Sequence, residues 1–186
     1  MNVSLPAKIG LAVLSGVGVG FVQFSEVFPD EPGGTLALYG LSGLLFAAGV
    51  LVPYLKRDRS SYLRAVILIV ASAASYRSAV WLALDSGIGG ESEWIAYVVA
   101  SIAGATIVLT TLVLVTPIRA SLVFVALGLL AGIVGGPLTY FTLPGSEVLV
   151  ILGHASWHTL ICLAIYFGTP STDAGARTSE AMAGSK

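Results

Sequence analysis

The sequence predicts an all-α fold, a polytopic membrane bundle of six transmembrane helices with both termini cytoplasmic. Three observations lead there. Of 186 residues, 56% are hydrophobic and only 10% are Asp, Glu, Lys or Arg, whereas a soluble domain carries about 25% charged residues. Apolar runs long enough for a hydrocarbon core of roughly 30 Å recur along the whole chain. The Lys and Arg residues of the connections between those runs are confined to alternate ones.

The spans fall at 8–24, 35–55, 61–85, 94–116, 118–140 and 147–168. Each is bounded by a short, turn-like segment: FPDEPGG, KRDRS, DSGIGGESE, TPIR and TLPGSE in order. Gly, Pro, Asp and Ser at these points punctuate helices. None of the runs alternates as a barrel strand would, and lipid offers no partner for an open strand edge. The first run lacks a small-x-small cleavage site before SEVFPDE and reads as a retained helix. Residues 169–186 are small and polar with no apolar period, the composition of a disordered cytoplasmic tail, so one transmembrane domain covers 1–168.

Charge sets the orientation. Lys8, Lys56, Arg57, Arg59, Arg64 and Arg119 flank one set of ends, while Glu26, Asp30, Glu31, Asp85, Glu91, Glu93 and Glu147 flank the other. Basic residues remain cytoplasmic, so both termini are inside. Tyr54, Trp94, Tyr140 and Tyr166 stand at the boundaries as an interfacial belt. The multi-pass pattern, with Arg in excess of Lys and acidic outer loops, suits a prokaryotic plasma membrane. Membrane lipid is then the surrounding partner.

Composition also excludes function classes. A mean hydropathy of +0.92 rules out a soluble enzyme or a disordered chain, and a net charge of −1 supplies no basic field for nucleic acid. Cys162 is the single cysteine, which rules out an internal disulfide and a cysteine-based zinc framework. The 22 glycines serve close helix packing, with strips at Gly16 and Gly20, at Gly128 and Gly132, and around Gly40, Ser42 and Gly43. Such faces also suit a homo-oligomer. GLSG at 40–43 is similar to the rhomboid protease nucleophile motif, but Ser42 lies near the start of the second span rather than on the fourth.

Ionisable groups inside a span are costly, about 2.5–3.5 kcal/mol for a central Arg on insertion scales. Arg77, His154 and His158 stand out. At about 1.5 Å per residue, Arg77 and His154 fall at a similar depth, roughly 10–12 Å below the outer boundary. This predicts one outward-opening polar pocket between the third and sixth spans, with Gln23, Ser72, Ser75 and Tyr76 either as further lining or as packing residues, and Trp157 turned to another helix or to lipid. His154 and His158 are four apart on one helix face, the spacing of paired metal ligands, and Cys162 continues the stripe. The alternative is that both imidazoles hydrogen-bond across a helix interface. Arg77 either snorkels outward toward Asp85, Glu26 or Glu147 or binds a ligand.

Gly153, His154, Ala155, Ser156, Trp157 and His158 form a string that resembles the last-helix motif of the CREST superfamily, which includes alkaline ceramidases, progestin and adiponectin receptors and Per1-like proteins. That resemblance implies a zinc ion held by His154 and His158, and hydrolysis of a lipid amide by zinc-bound water. Asp85 would stand for the family's acid, and Arg77 would stabilise the oxyanion. The family's third histidine has no counterpart: Ser75 would put it at Ala79, leaving Asp85 or Cys162 as a substitute ligand, or no metal at all. Besides this hydrolase, the sequence admits a channel, carrier or receptor that binds an anion or small polar solute through Arg77, and a purely structural subunit.

Overall fold

The computed structural model describes residues 3–24, 32–55, 59–84, 86–88, 93–116, 118–140 and 147–168. Asp85 and the 169–186 tail lie outside the described residues. Among the described residues the regular structure is all-helical: α1 Leu5–Phe24, α2 Pro32–Phe46, α3 Arg59–Leu84, α4 Glu93–Val115, α5 Leu122–Tyr140 and α6 Glu147–Gly168. Among the described residues, five stretches are long and apolar enough to cross a membrane, Leu5–Gln23, Ala37–Tyr54, Ser60–Leu84, Glu93–Val115 and Val148–Gly168. The apolar part of α5, Leu122–Leu138, is shorter. Leu114 and Leu122 are 79% and 85% exposed, an outer surface suited to lipid rather than water.

Two boundaries differ from the sequence expectation. The second span is not one α-helix: α2 ends at Phe46, a π-helical turn covers Ala47–Leu51 and a 3₁₀ turn covers Val52–Tyr54. Pro53 supplies the reason. It has no N–H to donate, and its ring clashes with the carbonyl four residues back. The backbone widens instead, and the Val52 N–H reaches the Ala47 carbonyl. The fifth helix starts at Leu122 rather than at 118. Ser121 caps it, its Oγ accepting from the Phe124 N–H at 3.1 Å. The Arg119 N–H meanwhile donates to the Gly168 carbonyl at 3.0 Å, closing the end of α6.

Each helix packs on its sequence neighbours, and α1 closes the ring against α6. Side chains of α6 and α2 fill the centre, with Phe46, Leu51, Ile161, Ile165 and His158 fully enclosed. Glycine makes the closest approaches. A Cβ on Gly16 would stand 2.5 Å from the Ala155 Cα, and one on Gly20 2.9 Å from the Ile151 Cα. On α5, a Cβ at Gly132 or Gly136 would meet α4 backbone at 2.8 Å or 2.6 Å respectively. The strips serve close packing within the chain, as expected: α1 turns Gly16 and Gly20 to α6, α2 turns Gly43 to Ala73 of α3, and α5 turns Gly128 and Gly132 to α4. Gly40 is open, with nothing near its missing Cβ.

Candidate functional site

A partly open cavity of about 110 Å³ lies among α1, α3, α4, α5 and α6. It occupies the half of the bundle where α1, α3 and α5 finish. Gln23 is one residue from the end of α1, Ala83 one from the end of α3, and Tyr97 sits in the first turns of α4. Small residues hollow it out (Ala79, Ala100, Gly104, Gly135), while Tyr76, Tyr97, His154 and Trp157 wall it. Gly135 seats the indole: a Cβ there would lie 2.9 Å from the Trp157 Cδ1. The wider groove between α4 and α5, about 250 Å³, has no ionisable side chain in its lining.

The polar groups form a ladder between α1 and α6. The half-buried His154 places Nε2 2.9 Å from the Gln23 Oε1. The amide oxygen only accepts, so Nε2 carries the proton and the other ring nitrogen is an acceptor. One turn on, His158 is fully buried, with Nδ1 2.6 Å from the Ser15 Oγ and Nε2 2.7 Å from the Tyr76 hydroxyl. The Ala12 backbone also hydrogen-bonds this imidazole, and Ala12 shares a face of α1 with Ser15. Nδ1–H therefore points to α1, and Nε2 accepts from the tyrosine. Phe46 meets the ring edge-on at a centroid distance of 4.8 Å. A further turn on, the Tyr54 hydroxyl donates to the Cys162 carbonyl at 2.8 Å and lies 3.4 Å from its sulfur. Lys8 Nζ covers the Tyr54 ring, 3.8 Å from its centroid.

Of the residues expected at the pocket, Gln23, Ser75, Tyr76 and His154 line the cavity. Ser75 also donates to the Gly104 carbonyl at 2.9 Å. The others do not. Ser72 is buried and bonds its own helix at the Leu68 carbonyl. His158 lies behind Tyr76, and Cys162 lies one turn farther, against Tyr54. Arg77 is exposed, its guanidinium carbon 5.7 Å from the Tyr39 ring centroid. Successive helical residues turn by about 100°, so with Tyr76 facing inward Arg77 faces out. Depth along α3 matched that of the histidines; azimuth did not. Trp157 faces other helices, seated on Gly135 of α5 and 5.1 Å from the Phe46 ring centroid, and the half-buried Tyr54 hydrogen-bonds to Cys162.

Sequence reasoning missed Ser15 and, in the cavity lining, Tyr97 and Ser101, and it gave Tyr54 only an interfacial place. One signal was present: Lys8, Ser15 and Gln23 recur at seven and eight residues along α1, a stripe that meets the four-residue stripe of α6.

The described residues do not fit a zinc ion. Both nitrogens of His158 are taken by hydroxyl partners, His154 offers one nitrogen, and among the described residues no three His, Cys, Asp or Glu side chains gather. A structural or catalytic zinc needs at least three such ligands at about 2.0–2.3 Å. Asp85, the acid implied by the CREST resemblance, lies outside the described residues. Compared with known proteins, the chain matches no protein-family model, no curated protein and no solved structure.

Proposed function

We propose that this chain is a six-span membrane protein with both termini cytoplasmic, and that it binds a small, largely apolar molecule from the outer side, as a receptor or carrier does. The orientation rests on the confinement of Lys and Arg to alternate connections, the others holding acidic residues and no Lys or Arg. It makes the Gln23–His154 end the outer one.

The observation that carries the binding reading is the cavity itself. It is walled by four aromatic rings and floored by Ala and Gly, with the Gln23–His154 pair at hand to orient a polar group. Pockets of this build, mostly apolar with a few placed polar atoms, are the common form of small-molecule sites. Its size is near that of an engineered cavity of about 150 Å³ that takes benzene. With Nε2–H of His154 donated to Gln23, the free ring nitrogen selects a hydrogen-bond donor on the ligand, such as a hydroxyl. Anion capture through Arg77 has no support from a guanidinium outside the lining. Zinc-dependent amide hydrolysis has none from the imidazole partners.

The test uses Trp157 as reporter. A variant with Trp81→Phe and Trp94→Phe leaves one indole, at the cavity wall, and 4-bromophenol quenches it by the heavy-atom effect. Saturable quenching that is lost when Ala100→Phe fills the cavity supports the reading. Quenching that rises without saturation, equally in both proteins, reports partition into detergent and overturns it.

A further inference from the structure

We propose that the α1–α6 seam conducts protons between the cavity and the opposite end of the bundle. Proton translocation would then be an activity of this chain whatever molecule occupies the cavity.

The seam runs the height of the bundle. Antiparallel packing sets Gln23 against His154 and Ser15 against His158, and it sets Lys8 at the level of Tyr54 and Cys162. Every rung holds exchangeable protons. A polar side chain that merely ties two membrane helices needs one partner. His158 has a hydroxyl on each nitrogen, from two different helices, and hydroxyls both donate and accept. One of them, Tyr76, lines the cavity. The imidazole thus joins a group in contact with the cavity to a group on α1 that is not.

The transfer balances without electron chemistry. A proton from water in the cavity bonds to the Tyr76 oxygen as the Tyr76 O–H breaks toward Nε2 of His158. The Nδ1–H bond breaks in turn, and that proton bonds to the Ser15 oxygen, whose own proton moves on. Rotation of the hydroxyls and return of the imidazole to its first tautomer reset the chain, and water at the far end accepts the proton. Between Ser15 and the Tyr54–Cys162 rung lies one turn of α6, about 6 Å of rise, which the proton crosses only when a water enters between them. The imidazole is faced by Ser15 and Ala12 of α1, Phe46 of α2, Tyr76 of α3 and, from its own helix, His154 and Trp157. None of these presents a carboxylate that would trap the proton. Histidine relays of this kind mark proton paths inside membranes.

The full chain, reconstituted in phosphatidylcholine–phosphatidylglycerol vesicles loaded with pyranine, provides the test. A potassium diffusion potential set by valinomycin drives protons inward. Internal acidification faster than in protein-free vesicles is expected, lost in Tyr76→Phe and in Ser15→Ala and kept in Thr106→Ala on the outer face of α4. Circular dichroism and elution volume check that each variant is folded. Wild-type vesicles that acidify no faster than empty ones overturn the proposal, as does wild-type flux in folded Tyr76→Phe and Ser15→Ala. Neither readout involves the bromophenol probe, so the failure of one reading leaves the other standing.

Discussion

The Ser15 Oγ lies 2.6 Å from Nδ1 of His158 across 143 positions of sequence. This contact is bought by Gly49: a Cβ there would stand 2.3 Å from the Ser15 Cβ. Glycine in the π turn that follows α2 thus clears the ground on which α1 and α6 meet. It follows that Gly49→Val separates Ser15 from the imidazole, and Gly49→Ala does so partly. Histidine side-chain NMR should report the change as a shift of the His158 ring resonances, with those of His154 unmoved.

Tyr76→Phe leaves Nε2 of His158 buried without a donor. An orphaned buried polar group costs about 1–3 kcal/mol, while hydrogen bonds between membrane helices average only about 0.6 and reach about 1.7 kcal/mol. The expected loss is therefore about 1–2 kcal/mol, at the upper end for membrane helices because both faces of the ring are enclosed. Ser15→Ala should cost a similar amount. The double variant should cost less than the sum, since both act through one imidazole. Unfolding in bicelles measures all three.

Glycines at different places in one helix should respond oppositely. Gly16→Leu forces a side chain into the Ala155 backbone and should destabilise by at least the ~1–3 kcal/mol typical of overpacking. At Gly10 nothing lies within 4 Å of an added Cβ, so Gly10→Ala should be neutral or stabilise by up to about 1 kcal/mol. A thermal-unfolding comparison of the two variants is sufficient.

Arg77→Leu should leave the 4-bromophenol titration unchanged, because the guanidinium lies outside the cavity lining. Insertion of the isolated third span should improve, by up to about 2.5–3.5 kcal/mol for a residue at the helix centre and less for one this near an end. A glycosylation-mapped insertion assay reads that change directly.

Cys162 is fully buried against Tyr54. Folded protein should resist N-ethylmaleimide at a concentration that labels it fully in dodecyl sulfate, as read by intact mass. Rapid labelling of the folded chain would mean that the Tyr54 rung opens.

Much of the fold was legible because it rests on length and polarity, which the chain states outright. Helix limits came within a few residues except where Pro53 and Ser121 act, and both carry known local rules. The candidate site was legible in part. Spacing on α6 put His154, His158 and Cys162 on one stripe, and counting rise put Arg77 at their depth. What depth cannot supply is direction around the helix axis. Nothing in the α3 sequence says whether Tyr76 or Arg77 faces inward until a neighbour is placed against it, and both are apolar-stemmed enough for either side. Ser15 lay hidden for a related reason: serine is at home in membrane helices, bonding its own backbone, and only its alignment with Lys8 and Gln23 set it apart.

The widened turn at Ala47–Leu51 also bears on how this segment tolerates a change of length. The i→i+5 turn takes up one extra residue ahead of Pro53, so removing one residue between 47 and 51 would set the proline ring back against the carbonyl four residues before it. The residues that finish this span, Tyr54 among them, would then swing by about 100°. Tyr54 would leave Cys162, and Lys8 would lose its ring. A shortened chain of this kind should still insert and span, with one end of the ladder dismantled and the other intact.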